Sequence, residues 1–262
     1  MNKRRFKRAA LLLVTMCLLI AGTCAALWLR LERRKEALNR QLIAALVKDE
    51  RARAEQSGPY DHREALSLVI AGADPNTPVK PLPTPSLRQL WDYLVHRSPL
   101  PANHCQTAFL LACGTGAPGL NIFPARYMGS YEDFAPLVQA MLQHGANIEA
   151  EDENGCTGLV SATQELNLKT LDILLEHGFN VNGHRGDFSP LYWAIFFSCN
   201  PPLSSPYGTP SNGAPQEIVL RLLGHGADPN LHEPDGTTAL QAAQLFHRPD
   251  LVALLKQAEA KK

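Results

Sequence analysis

Four segments of this sequence end alike, and their spacing restricts the possible folds more than any other feature. They are LVIAGADPN (68–76), MLQHGANIE (141–149), LLEHGFNVN (174–182) and LLGHGADPN (222–230). Their shared glycines, Gly72, Gly145, Gly178 and Gly226, lie 73, 33 and 48 residues apart. The middle interval is one bare period, the last is a period enlarged by 15, and the first is two periods enlarged by 7. A second set of marks keeps the same register: TAFLLA from Thr107, TGLVSA from Thr157, SPLYWA from Ser189 and TALQAA from Thr238. Units of this length cannot bury an apolar face alone. They stack, so the chain reads as a solenoid.

Within a period the residue types specify two helices. Thr107, Thr157, Ser189 and Thr238 suit the N-cap of a first helix, and Pro190 suits its first turn. Ala112, Ala162, Ala194 and Ala243, five residues beyond each cap, let paired helices approach closely. A leucine-rich second helix follows, as at Leu171, Ile173, Leu174 and Leu175. Each repeat glycine then closes that helix in the left-handed region, and Asn147, Asn182 and Asn230 suit the turn beyond it.

The pattern resembles the ankyrin repeat: a turn, a helix opening on a Thr-Pro-Leu-His-like tetrad, a second helix and a Gly-Ala-Asp-like ending. The resemblance covers roughly residues 61–262 and is strongest at 141–182 and 222–255. It implies an all-α solenoid of helix-turn-helix units that binds protein partners through its hairpin tips and first helices. The tetrads depart from the family at the fourth position, where Leu110, Val160, Tyr192 and Gln241 replace histidine. Since that histidine links neighbouring repeats, a less regular stack is expected.

The array is preceded by a different kind of segment. Residues 1–8 form a basic tail, and 9–29 (AALLLVTMCLLIAGTCAALWL) contain no charge. As a helix this stretch would be about 31 Å long, enough for one transmembrane span, with Trp28 at the interface. A cleaved signal peptide fits less well, because the apolar run continues past its small residues. The basic flanks nearly balance, but the N-terminal one has no acid. This places the folded part outside the cytoplasm, facing the periplasm if the membrane is a bacterial inner membrane. Residues 30–58 read as a helical stalk, or as a capping helix with its partner near 61–70.

The whole chain has a formal net charge of +0, yet residues 59–262 carry 12 basic against 20 acidic groups. That bias opposes a phosphate-backbone binder and excludes nucleic acid as the expected partner. The acids concentrate at the turns between repeats. One tip holds Glu149, Glu151, Asp152 and Glu153, the next His184, Arg185 and Asp187, and the last His232, Glu233 and Asp235. These ten are the candidate partner-binding residues. The expected function is a membrane-anchored interaction module with an unidentified protein partner; its narrower form is an immunity or adaptor protein.

Insertions at 114–130 and 198–214 separate the two helices of their repeats, and 77–101 is a third irregular stretch, possible as a degenerate repeat from Thr84. The rival reading is an enzyme or ligand-binding protein with a site built by the insertions, including Tyr127 and Tyr207. Against it, no catalytic triad or phosphate loop is recognisable. His144, His177 and His225 recur with the repeat and are read as structural, and no metal or cofactor is expected. Cys105 and Cys113 would be about 12 Å apart on one helix, beyond disulfide reach, and sequence assigns no pairing to Cys156 or Cys199.

Overall fold

The computed structural model describes residues 3–55, 62–80, 105–114, 134–153, 155–164, 167–183, 188–199 and 214–259. Side chains are not described for 3–15, 49–55, 197, 199 and 214–215. Among the described residues there are ten helices and no strand. They are α1 (Lys3–Glu55), α2 (Arg63–Ile70), α3 (Ala108–Cys113), α4 (Ala135–Gln143), α5 (Gly158–Gln164), α6 (Leu168–Glu176), α7 (Pro190–Cys199), α8 (Ala214–Gly224), α9 (Ala239–Leu245) and α10 (Pro249–Glu259). Helices α1, α3, α5, α7 and α9 pack side by side in one layer, and α2, α4, α6, α8 and α10 in the other.

The local signals in the sequence act as read. Thr107, Thr157, Ser189 and Thr238 each accept a hydrogen bond from the amide three residues on, at 3.2–3.3 Å. Thr238 forms a full capping box with Gln241, which answers at 2.9 Å. All four repeat glycines have positive φ, from +81° to +101°. The core runs the length of the stack, with Leu137, Met141, Leu159, Leu171, Leu174, Ile195, Ile218, Leu222 and Leu251 at 0–1% exposure. Helix α7 is apolar on every side because it packs against α5, α8 and α9 together.

Helix α1 takes in the segment after residue 29 as far as Glu55. It runs without interruption from the basic tail to Glu55. Near its C-terminal end Leu42, Ala45 and Leu46 are buried, and the helix packs on α2 and α3 as the first member of the array. Among the described residues no helix is long and apolar enough to cross a membrane. The span expected at 9–29 lies in α1, where residues 9–15 are among those without described side chains. From Met16 onward Leu18, Leu19, Ile20, Leu27 and Trp28 are exposed.

The structure describes only the ends of the irregular stretches. The repeat endings on either side of the irregular stretch after Thr77 adjoin, because Asn76 bonds directly to Gly145 and Asn147. The described ends of that stretch are joined by Val79 N–H to Gln106 O at 2.8 Å, beside the Pro78–Thr107 bridge. Residues 81–104 lie outside the described residues. The insertion expected at 198–214 is shorter, since α7 continues through Cys199 and α8 starts at Ala214. Ser198 Oγ donates to Ala194 O at 2.7 Å, and Arg248 donates to the Ser198 carbonyl, which hold that last turn. The bodies of the insertions, with Tyr127 and Tyr207, lie outside the described residues.

Candidate functional site

Each turn between repeats begins the same way. The residue two places past the glycine, Asp74, Asn147, Asn180 or Asp228, accepts the amide of the residue two further on at 2.9–3.1 Å. This fixes the exit from the second helix and aims the residue four past the glycine at the next repeat. Asn76 accepts the Asn147 amide (2.6 Å) and donates to Gly145 O (2.9 Å). Asn182 does the same with the Asp228 amide (2.8 Å) and Gly226 O (3.3 Å). Asn39 of α1 accepts the Asp74 amide at 2.8 Å, so the ladder starts on the cap. Asparagine serves because it carries an acceptor and a donor on one group.

One position breaks the ladder. Four residues past Gly145 stands Glu149, which is exposed. A carboxylate has no hydrogen to offer Gly178 O, and among the described residues no hydrogen bond joins Glu149 to Gly178 or Asn180.

Beyond the ladder the chain forms short hairpins. In the second, Glu151 pairs with Thr157, and Gly155 (φ +81°) turns the tip. Asp152 is occupied there, accepting the Cys156 amide at 2.9 Å. Glu149 and Glu153 remain exposed, and Glu151 is half-buried. In the last hairpin His232 pairs with Thr238. Asp235 accepts both the hydroxyl (2.6 Å) and the amide (2.9 Å) of Thr237, and these bonds hold its carboxyl below the usual range. His184, Arg185 and Asp187 lie outside the described residues.

Glu233 differs from the exposed tip residue that the sequence suggests. It is 4% exposed and reaches back to the preceding repeat, accepting the Ser189 hydroxyl (2.5 Å) and amide (2.7 Å). Glu233 and Asp152 hold equivalent places, seven residues past their glycines. The shorter side chain folds onto its own hairpin, while one further methylene lets the longer one cross to its neighbour. Glu233 thus supplies an inter-repeat link that the absent tetrad histidines were expected to leave unmade.

Tyr192 is not among the ten candidate residues. Burial first, then the charges of Asp235 and Glu233, push its phenol up. Phe188 stacks on its ring at 4.3 Å between centroids. The available signal was its place as the fourth tetrad residue, on a first helix beside a hairpin.

The histidines before the repeat glycines behave as helix ends. His144 and His177 bond through Nδ1 to the carbonyls of Ala140 and Ile173, each at 2.8 Å. Cys105, Cys113 and Cys156 form no disulfide among the described residues. Burial raises the Cys113 thiol, and burial with the Glu153 charge raises Cys105. Among the described residues no group of three or more His, Cys, Asp or Glu side chains is placed to hold a metal.

Paired helices, closing glycines, capped first helices and hairpins in register are now in view. The chain is ankyrin-repeat-like. It is 30% identical over 125 residues to a protein of fowlpox virus (strain NVSL) provisionally named ankyrin repeat protein FPV031. That alignment covers 45% of this chain and 32% of the viral protein, so the chain matches about a third of its relative's length. No family model matches the chain.

Proposed function

We propose that the chain is a non-catalytic binding protein, anchored by Ala9–Leu29 in a bacterial inner membrane, whose protein partner meets the second hairpin and the neighbouring first helices. The observation that carries this reading is Glu149. It occupies a position where asparagine would join two repeats, and it presents an uncompensated carboxylate beside exposed Glu153. Local rules give way most often at functional sites. Acidic side chains at a tip favour a partner with a basic patch, and their effect falls mainly on encounter and orientation. The narrower form is an immunity or adaptor protein that masks an envelope toxin or enzyme. The apolar, exposed surface of α1 from Met16 to Leu29 supports the anchor. The acid-free basic tail supports a periplasmic solenoid.

The test is charge reversal of the two exposed acids, Glu149→Lys with Glu153→Lys. Asp152 is spared because it holds the hairpin. Association with partner captured in mild detergent should slow at low salt and recover as salt rises, because exposed charges are screened over about 8–10 Å. Unchanged association at every salt concentration, with the helical signal intact, would remove this surface from consideration. A phosphatase fused after Lys262 should be active and sediment with membranes. An inactive fusion would reverse the orientation, and one found free of membranes would remove the anchor.

A further inference from the structure

Helix α7 carries rings larger than its place in the stack requires. Four residues past the cap α3 buries Leu111, α5 buries Ser161 and α9 buries Ala242, whereas α7 sets Trp193 half in water. Trp193 stands in a continuous run of rings. Phe188, just before the cap, stacks on Tyr192 at 4.3 Å and 22° and meets Trp193 edge-on at 6.1 Å and 82°. Trp193 meets Phe196 at 5.6 Å and 84°, and Phe196 meets Phe246, which closes α9, at 6.0 Å and 76°. All five rings are half-buried, and Leu245 beside Phe246 is 73% exposed. Edge-to-face packing at these distances is favourable, so the rings fix one another while part of each faces solvent. From Phe188 to Phe246 the run is at most about 18 Å long, which five or six residues of extended chain cover at about 3.3 Å each.

We propose that this run is a docking track for an extended segment of a protein partner, with an arginine at its Tyr192 end and apolar residues toward Leu245. It rests on the reading of the chain as a protein binder, but not on the second hairpin. The arginine is argued from charge. Asp235 is exposed, makes no ion pair among the described residues and is held ionised by its two bonds from Thr237. Glu233 is fastened to Ser189, whose hydroxyl also receives the Tyr192 amide, so a second carboxylate lies one turn below that ring. The rise of the Tyr192 phenol reports the negative field of both. A guanidinium can lie flat on an aromatic face and fork to a carboxylate at once, which an ammonium cannot do. Farther along, the half-exposed rings and Leu245 offer no charge and suit aliphatic side chains, as the centre of an interface does. In an extended segment alternate side chains reach the track.

The test uses the full chain in a neutral detergent with fluorotryptophan incorporated, the Trp193 fluorine signal being assigned by its loss in Trp193→Phe. The probe is the peptide acetyl-Arg-Leu-Ser-Leu-amide, which should shift that signal saturably at millimolar concentration. The same peptide with citrulline for arginine keeps the shape and loses the charge. It should bind roughly threefold to fivefold more weakly, as for an exposed cation on an aromatic face. Asp235→Asn keeps an acceptor for Thr237 and should weaken the arginine peptide by a similar factor, leaving the citrulline peptide unchanged. Leu245→Ser, at an exposed site, should weaken both peptides alike. An unmoved Trp193 signal, or an equal response to the two peptides, overturns the proposal. So does a shift produced by raising the protein concentration alone, which would make a second copy of the chain the occupant. Weakening by Glu149→Lys with Glu153→Lys but not by Asp235→Asn would put the peptide on the second hairpin, overturning the track and leaving the binding function standing.

Discussion

Glu149 and Glu233 show how one side chain decides between a surface and a joint. Glu149→Asn restores the donor that Gly178 O lacks and the acceptor geometry used by Asn76 and Asn182. It should raise stability by about 1 kcal/mol, as for a typical net hydrogen bond, measured by urea unfolding. An unchanged midpoint would show that the spacing between these two repeats, and not the residue, leaves the link unmade. Glu233→Ala acts in the opposite direction. It strips two bonds from Ser189, which is 2% exposed, and should cost about 1–3 kcal/mol. Loss of no stability would place Glu233 among the exposed tip acids after all. The distinction between the two glutamates could not be read in the sequence. Both follow a repeat glycine at a turn, and only the backbone shows that position four faces the next repeat while position seven faces the previous one.

Among the elements, the caps, glycines and second-helix leucines were legible because each depends on contacts a few residues apart. The ends of α7 and α10 were not, because they depend on each other across 50 residues. Arg248 donates to the Ser198 carbonyl and grips Asp250 through two bonds, at 2.9 and 2.7 Å. The Arg248 bond holds the Asp250 carboxyl down to about 2, against an ordinary value of 3.8. A carboxyl lowered on folding stabilises fully above its unfolded value and loses that contribution as pH falls through the folded one. The wild type should therefore lose stability between about pH 4 and pH 2 more steeply than Asp250→Asn. Parallel acid limbs in the two proteins would show that the pair does not bind α10 to the stack.

For the whole molecule, the period announced the architecture, but the number of units did not follow from it. The 73-residue interval suggests an extra repeat after Thr77, whereas the Asn76 bonds show Gly72 and Gly145 in adjacent units. The intervening residues enter and leave across the Val79–Gln106 closure. Replacing 81–104 with a short Asn-Gly turn should consequently leave the melting midpoint within about 3 °C, since the Asn76 bonds between the flanking units are kept. A collapse of the cooperative transition would mean that the segment packs as part of the core. The Asn76 and Asn182 bonds run from an earlier unit to a later one, and the Asn39 bond from the first helix to the turn that follows the second. During synthesis, each unit leaving the ribosome thus meets a receptor that is already folded, beginning from the helix made first. At Glu149 the relay is interrupted, and there the second half of the array must find its seat without an asparagine to receive it.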